Sequence, residues 1–139
     1  MEEVIRLLEL KNRYYEKFYQ LTSRFLTGDD EWRWEEMDLM VANRQRILNI
    51  LRTFDYKIAR TFSEVDSGEV DFEKYRQNVK GLLDKRTQWV NKIVKVDLAL
   101  ISLIDQMKTH TIQELKQTVE FQNNLRQFTH SARKVKRFA

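Results

Sequence analysis

FEKYRQNVKGLLDKRTQWVNKIVKVDLALISLIDQM, residues 72–107, is the stretch that decides the fold. Its apolar residues recur at alternating steps of three and four, which places them on one side of an α-helix. These positions are Phe72, Tyr75, Val79, Leu82, Arg86, Trp89, Ile93, Val96, Leu100, Leu103 and Met107. The rhythm falters over 108–111 and resumes to Phe128, so we expect a long helix over about 71–129 that is either continuous or bent at 108–111.

Two shorter segments with the same rhythm precede this stretch. The first, 2–27, has an apolar seam, meaning the row of residues at these steps, of Val4, Leu7, Tyr14, Phe18, Leu21 and Phe25, with Lys11 in its polar slot. The second, 31–65, has a seam of Met37, Val41, Arg44, Leu48, Leu51, Asp55, Ile58, Phe62 and Val65, flanked by Met40, Ile47 and Phe54. Each segment is predicted to be one amphipathic helix.

Helix breakers are rare in the chain, which has no proline and three glycines. Gly28 to Asp30 is predicted to end the first helix, with Gly28 in a left-handed cap, and 66–71 to separate the second from the third, with Asp71 as N-cap. The short first turn predicts that the second helix folds back on the first. The fold class is therefore all-α, an antiparallel hairpin or three-helix coiled-coil-like bundle with a very long last helix, in one domain over 1–132 before a basic tail, 133–139.

The lengths of the helices do not match. A last helix of about 55 residues would be about 80 Å long, and a first helix of about 26 residues cannot cover it. The uncovered part is therefore predicted to bind a partner, or else to pack within the chain or in a homodimer. The predicted partner-binding residues are Leu100, Leu103, Ile104, Met107, Ile112, Leu115, Val119, Leu125 and Phe128.

Composition limits the other functions. Cysteine is absent, which rules out disulfides and thiolate metal sites, and no apolar run is long enough to span a membrane. The acidic start at Met1 lacks the apolar core of a signal peptide, so a cytoplasmic location is expected. Five basic residues and no acidic one lie in 121–139, which leaves 1–120 at −1 of the net +4. A nucleic-acid reader would need a basic face on the folded part, so binding to nucleic acid is not expected.

No catalytic, cofactor or metal site is predicted. His110 and His130 lie far apart, and neither has the glutamate three residues earlier that helical di-iron sites use. The chain also lacks a phosphate-binding glycine loop and a nucleophile elbow. We expect a non-enzyme without cofactors.

Several residues allow two interpretations. Arg44 and Arg86 fall in seam positions, where the stem can pack while the head reaches solvent or an aspartate, or where the head can fix register or grip a partner. Trp32 and Trp34, at the start of the second helix, are either a helix staple and a half-exposed neighbour, or an anchor for a partner. The basic tail is either a solvated end or a contact for an acidic protein, anionic lipid or nucleic acid.

Two quoted stretches carry a family resemblance. WEEMDLMVANRQRILNIL (34–51), after a Gly-Asp turn, resembles the flagellar type III export chaperones of the FlgN/FliT type, with Arg44 placed before the apolar pair Ile47 and Leu48. VDLALISLIDQMKTHTIQELKQTVEFQNNLRQF (96–128) is similar to their long last helix, with Asp97 ahead of its apolar pairs. The resemblance covers about 5–128. The end of the chain departs from it, because the tyrosine- and proline-containing tails of many members are missing.

The resemblance implies a cytoplasmic chaperone. Such a protein binds the amphipathic terminal helix of an exported hook-filament junction or cap protein and prevents its early assembly. RTQWVNKIVKVDLAL (86–100) also resembles the coiled-coil component of the export ATPase complex. A coiled-coil stalk component, or a general helical interaction module, is therefore the alternative, and export-apparatus components are further partners to consider.

Overall fold

A computed structural model of the chain describes residues 1–28, 33–65 and 71–138, with side chains as far as Arg133. It contains three α-helices: α1, Glu2–Leu26; α2, Arg33–Glu64; and α3, Phe72–Phe138. Helices account for 96% of the structure and there is no strand in the described ranges, which confirms the all-α class. Three finer parts of the prediction stay predictions. They are the antiparallel arrangement, the very long last helix and the boundary of the basic tail.

The apolar seam of α1 is buried nearly as its spacing predicts. Val4, Leu7, Phe18 and Phe25 belong to the core of the protein. The polar slot at Lys11 is also buried, and its ammonium group binds the carboxylate of Asp55 in α2. The seam therefore tolerates a lysine because α2 supplies the opposite charge.

The seam predicted for α2 is wrong at every second position. Met40 and Leu51 are buried, whereas Val41 is 54% and Phe62 is 53% exposed. The buried side keeps four positions of the predicted seam and adds the three residues predicted as flanking. It consists of Met37, Met40, Arg44, Ile47, Leu51, Phe54 and Ile58. This row keeps the same alternation of three and four, and it avoids placing Asp55 in an apolar position.

The end of α1 also differs from the prediction. No glycine in the described residues has a positive φ angle, so Gly28 does not form the left-handed cap. The helix closes instead with a tight turn, in which the Gly28 backbone N–H donates to the Phe25 carbonyl at 3.2 Å. The Arg33 guanidinium donates to the Gly28 carbonyl at 2.9 Å, so a cation from α2 satisfies the terminal carbonyls.

The remaining predicted turn residues lie mostly outside the described residues. This holds for Asp29 and Asp30 and for 66–70. Trp32, predicted at the start of the second helix, also lies outside the described residues. Asp71 is described and lies directly before α3, where its carbonyl accepts a hydrogen bond from the Lys74 backbone N–H at 3.2 Å.

The chain divides into two compact units, Met1–Leu100 and Ile101–Ala139. In the first unit, α1 packs on α2, and the rings of Tyr14 and Phe54 lie 5.4 Å apart. The α3 part of this unit contacts α1 through Tyr19 and Trp89, whose ring centroids are 5.8 Å apart. The second unit consists, over its described residues, of helix α3 alone.

A polar network joins all three helices inside the first unit. The Arg44 guanidinium of α2 donates to Asp97 Oδ1 of α3 at 2.9 Å and to Thr22 Oγ1 of α1. It also lies 4.2 Å from the centre of the Phe18 ring. Asn12 of α1 adds a hydrogen bond to a backbone carbonyl of α3. Thr22 is fully buried, and its hydroxyl donates to the Phe18 carbonyl at 3.2 Å while it accepts from Arg44.

Of the two seam arginines, Arg44 therefore acts inside the first unit and fixes how its helices meet. Arg86, at the equivalent position in α3, is exposed to solvent. The sequence pattern treats these two residues alike, and only the position of a facing aspartate distinguishes them.

Candidate partner-binding surface

The predicted partner-binding residues fall into three groups of differing exposure. Leu100 is only 7% exposed and belongs to the core of the first unit. Leu103, Ile104 and Met107 are half-buried. The residues that are largely open to solvent are Ile112, Leu115, Val119, Leu125 and Phe128.

Three of the open residues form one row, which we call the distal row: Ile112, Leu115 and Val119. Their steps of three and four place them on one face of α3, and they are 53%, 61% and 54% exposed. The second unit has no other element over its described residues, so nothing within the unit covers this row. Three neighbouring branched apolar side chains on one face of this part of α3 are therefore exposed to solvent.

The other open residues belong to a second row, which we call the phenylalanine row: Phe121, Leu125 and Phe128. At 3.6 residues per turn, its centre lies roughly 150° around the helix from that of the distal row. The two rows therefore occupy nearly opposite faces of α3. Sequence reasoning merged them into one surface and omitted Phe121, although its steps to Leu125 and Phe128 indicate that it belongs there.

The switch of faces has a visible cause in the sequence. Heptad steps from Leu103 and Met107 lead to His110, Glu114 and Gln117, which are polar, before they reach Phe121. The imidazole of His110 lies 2.9 Å from the carboxylate of Glu114 on the exposed surface of the helix. The apolar character thus leaves this side for two turns and appears on the other side as the distal row.

Basic residues extend the line of the distal row toward the end of the chain. One heptad after Val119 comes Arg126, followed by His130 and Arg133 at steps of four and three. We call these three exposed residues the basic row. One face of α3 is therefore apolar over 112–119 and basic over 126–133.

The alternative surface at the start of α2 is only partly described. Trp34 is 46% exposed and Met37 is half-buried, while Trp32 lies outside the described residues. Outward-facing residues continue from Trp34 at steps of seven through Val41 and Leu48 to Phe62. The missed signal is the unbroken row of Met40, Ile47 and Phe54, which would have turned this stripe outward.

These surfaces are poorly suited to binding a small molecule or a metal ion. The depression along the second unit, which includes Ser102, Gln106 and Thr109, lies on a single helix and cannot enclose a ligand. In the described ranges, no group of three or more His, Asp or Glu side chains could hold a metal ion. Within these same ranges, no helix is both apolar enough and long enough to cross a bilayer.

Comparison of the chain with protein-family models, with curated proteins and with solved structures finds no match. The assignment of a role to α3 therefore rests on the geometry of its exposed rows and on the residues themselves.

Proposed function

We propose that this protein is a helical chaperone that binds the amphipathic helix of a client protein along the distal row of α3. The single observation that carries this proposal is the exposure of Ile112, Leu115 and Val119, each more than half open to solvent on one helix face. A client helix lying along this face would bury its own apolar residues at the same steps.

The energetics favour an occupant for this surface. Removing apolar area from water stabilises a complex by about 25 cal/mol per Å², less the cost of ordering the client. A single helix gains nothing from leaving such residues in solvent, and polar side chains at these positions would serve its solubility better. The distal row is therefore better explained by binding than by the stability of α3.

The arrangement of the first unit supports its use as a platform. Thr22 and Lys11 of α1 contact Arg44 and Asp55 of α2, so one residue number rises as the other falls. These contacts support an antiparallel hairpin, onto which the first part of α3 packs through Asp97. In the proposal, the first unit supplies a folded platform and the distal row of the second unit contacts the client.

The class of client comes from the resemblance to flagellar export chaperones. On that basis the client is a hook-filament junction or cap protein, whose terminal helix would be shielded in the cytoplasm until export. The distal row contributes the physical part of this role, because a covered client helix cannot pair with its assembly partners.

A second function is favoured by one observation. The distal row and the phenylalanine row face nearly opposite directions, and one straight client helix cannot cover both. A helix with apolar rows on two faces fits between two neighbours, as in a coiled-coil component of a larger assembly. This alternative predicts a constitutive oligomer, whereas the chaperone predicts a free protein that recruits its client.

The experiment pairs a disruptive variant with a matched control. Leu115→Asp with Val119→Asp places two carboxylates in the distal row, while Gln113→Asp with Gln117→Asp adds the same charge at the same spacing on another face. In cells of the natural host, a photo-reactive amino acid at Ile112 captures the bound partner for mass spectrometry. We expect cross-links to a terminal helix of an exported flagellar protein, lost in the Leu115/Val119 variant and retained in the control.

Two other outcomes would overturn the proposal. Cross-links to a second copy alone, together with an oligomer in light scattering, would favour the coiled-coil component. Client capture that survives both aspartates would move the surface elsewhere, to the stripe that begins at Trp34. Circular dichroism of both variants checks that helix content is unchanged, which is expected because these positions contribute little to a core.

A further inference from the structure

We propose that the client helix is acidic over the half that lies against the basic row, so that it carries apolar residues in one half and carboxylates in the other. This inference rests on the proposed function, because it describes the partner of the same helix face. The observation that carries it is the common line of Val119, Arg126 and Arg133, each of which follows the one before it by one heptad.

The register extends through both rows without a shift. From Val119, steps of one heptad lead to Arg126 and Arg133, with neutral Gln122 between the two rows and His130 beside the arginines. A partner helix held by Ile112 and Val119 therefore passes over these basic side chains as well. From 112 to 133 this line is about 32 Å long, which a partner helix of about 22 residues can follow.

The charge of the chain is concentrated in this region. The second unit contains seven lysines and arginines against three acidic residues, and so accounts for the whole net charge of +4, while the first unit is neutral. Near the basic row, the described arginines Arg126 and Arg133 have no acidic residue beside them in sequence after Glu120. Carboxylates on a partner would supply the missing opposite charges.

A second copy of the chain is disfavoured as the occupant. In a parallel pair, each basic row would face another basic row, which costs free energy. An antiparallel pair that places Arg126 near the apolar Ile112 of the other copy would place Arg133 near its Asp105, which lies one heptad before Ile112. The parallel arrangement therefore leaves the basic row without opposite charges, and the antiparallel one supplies a carboxylate to Arg133 alone.

An anionic membrane surface fits less well than a helix. Phe121 and Phe128 would insert into lipid from the face nearly opposite Arg126 and Arg133. If the phenylalanines contact the membrane, these arginines point toward water. If the arginines contact the headgroups, the phenylalanines point toward water. A partner helix needs only one face and meets both the distal row and the basic row.

The experiment uses the full chain and synthetic helical peptides of about 22 residues in three compositions. All three share an apolar stripe of leucines in one half, and the other half carries glutamate, glutamine or lysine on the same side. Each composition is made with the charged half at either end, because the direction of the partner is free. Fluorescence anisotropy measures binding at about 0.05 M and about 0.5 M salt, where screening differs strongly.

We expect the glutamate peptide to bind tightest at low salt, followed by the glutamine and then the lysine peptide. Arg126→Glu with Arg133→Glu should weaken the glutamate peptide by about 5- to 30-fold and leave the glutamine peptide nearly unchanged. Lys80→Glu with Lys95→Glu is the matched control. It makes the same change in net charge at exposed sites of the first unit, and should have little effect on either peptide.

The outcomes separate this inference from the proposed function. If the glutamine peptide binds and Leu115→Asp with Val119→Asp abolishes its binding, but glutamate confers no advantage, the acidic client is excluded and the docking face stands. If neither the glutamate peptide nor the glutamine peptide binds, the proposal that this face of α3 docks a helix is itself wrong. Arginine-dependent binding to phosphatidylserine vesicles or to duplex DNA, without binding to the glutamate peptide, would overturn the inference in favour of lipid or nucleic acid.

Discussion

The two units differ in what they bury, although both expose large apolar side chains, such as Leu39 and Leu98 in the first. The first unit, Met1–Leu100, buries Lys11 and Thr22 and joins its helices through Arg44. The second, Ile101–Ala139, leaves Leu115 and Phe128 in solvent. Buried polar groups that are paired specify how helices pack against each other. Exposed apolar groups on one face are typical of surfaces that bind another molecule. The first unit therefore has a core of its own, and the association that we propose would involve the second.

The largest expected effect compares one substitution in both units. Leu7→Ala should lower the free energy of unfolding by about 2 to 5 kcal/mol, because Leu7 is only 2% exposed and its removal leaves a cavity. Leu115→Ala should change it by less than about 0.5 kcal/mol, because the side chain is already in water. Urea denaturation followed by circular dichroism measures both. Equal losses would mean that Leu115 belongs to a core.

The next effect distinguishes the two seam arginines. Arg44→Ala should cost about 2 to 3 kcal/mol, because it removes a partner from Asp97 and Thr22 and a cation from the face of Phe18. The estimate lies below that for a fully buried pair, since the side chain of Asp97 is 35% exposed. Arg86→Ala, at an exposed position, is the control and should cost less than about 0.5 kcal/mol. Similar unfolding midpoints for the two variants would contradict a structural role for Arg44.

A smaller effect concerns the buried lysine. Asp55→Ala should destabilise the first unit by about 1 to 2 kcal/mol, because the buried ammonium of Lys11 loses its carboxylate. Lys11→Met should be within about 1 kcal/mol of the unmodified protein, since a methionine of similar length needs no partner. Thermal melts of both variants and of the double variant complete the cycle. The idea fails if Lys11→Met is the more damaging change.

The smallest effect is a pH dependence at the start of α1. The Arg6 guanidinium donates to the Glu3 carboxylate at 2.8 Å, and this hydrogen bond holds the pKa of Glu3 below its ordinary value of 4.5. A lowered pKa stabilises the fold above the ordinary value, and the contribution disappears as the pH falls through the lowered one. Glu3→Gln should therefore unfold slightly earlier than the unmodified protein at pH 7 and together with it at pH 2. A difference that persists at pH 2 would point to another cause.

Much of the first unit could be predicted from the sequence. The seam of α1 was identified through Val4, Leu7, Phe18 and Phe25, because a helix that packs on one side repeats its apolar residues regularly. In α2 the same method chose Val41 and missed Met40, since two apolar rows lie side by side and spacing alone cannot rank them. The packing of α1 selected one of them.

The sequence indicated which residues near the end of α3 are exposed, but not how they divide between two faces of the helix. The length mismatch between helices indicated that the end of α3 would be uncovered, and Ile112, Leu115 and Val119 are exposed there. Leu100 was included in the predicted surface and lies in a core, because a seam residue looks the same whether its partner is inside the chain or elsewhere. The split into two rows follows from helix geometry, and it emerges only when each residue is placed on its face.

The sequence by itself determined the helical class, since the chain has no proline and repeats its apolar residues at steps of three and four. It also determined the basic character of the last 19 residues, which depends on composition alone. Only the tertiary structure decided that Arg44 forms a hydrogen bond between helices while Arg86 is a surface residue. The difference depends on Asp97, which lies opposite Arg44 within the first unit. Local spacing is a property of one helix, whereas burial and pairing are properties of the helices that surround it.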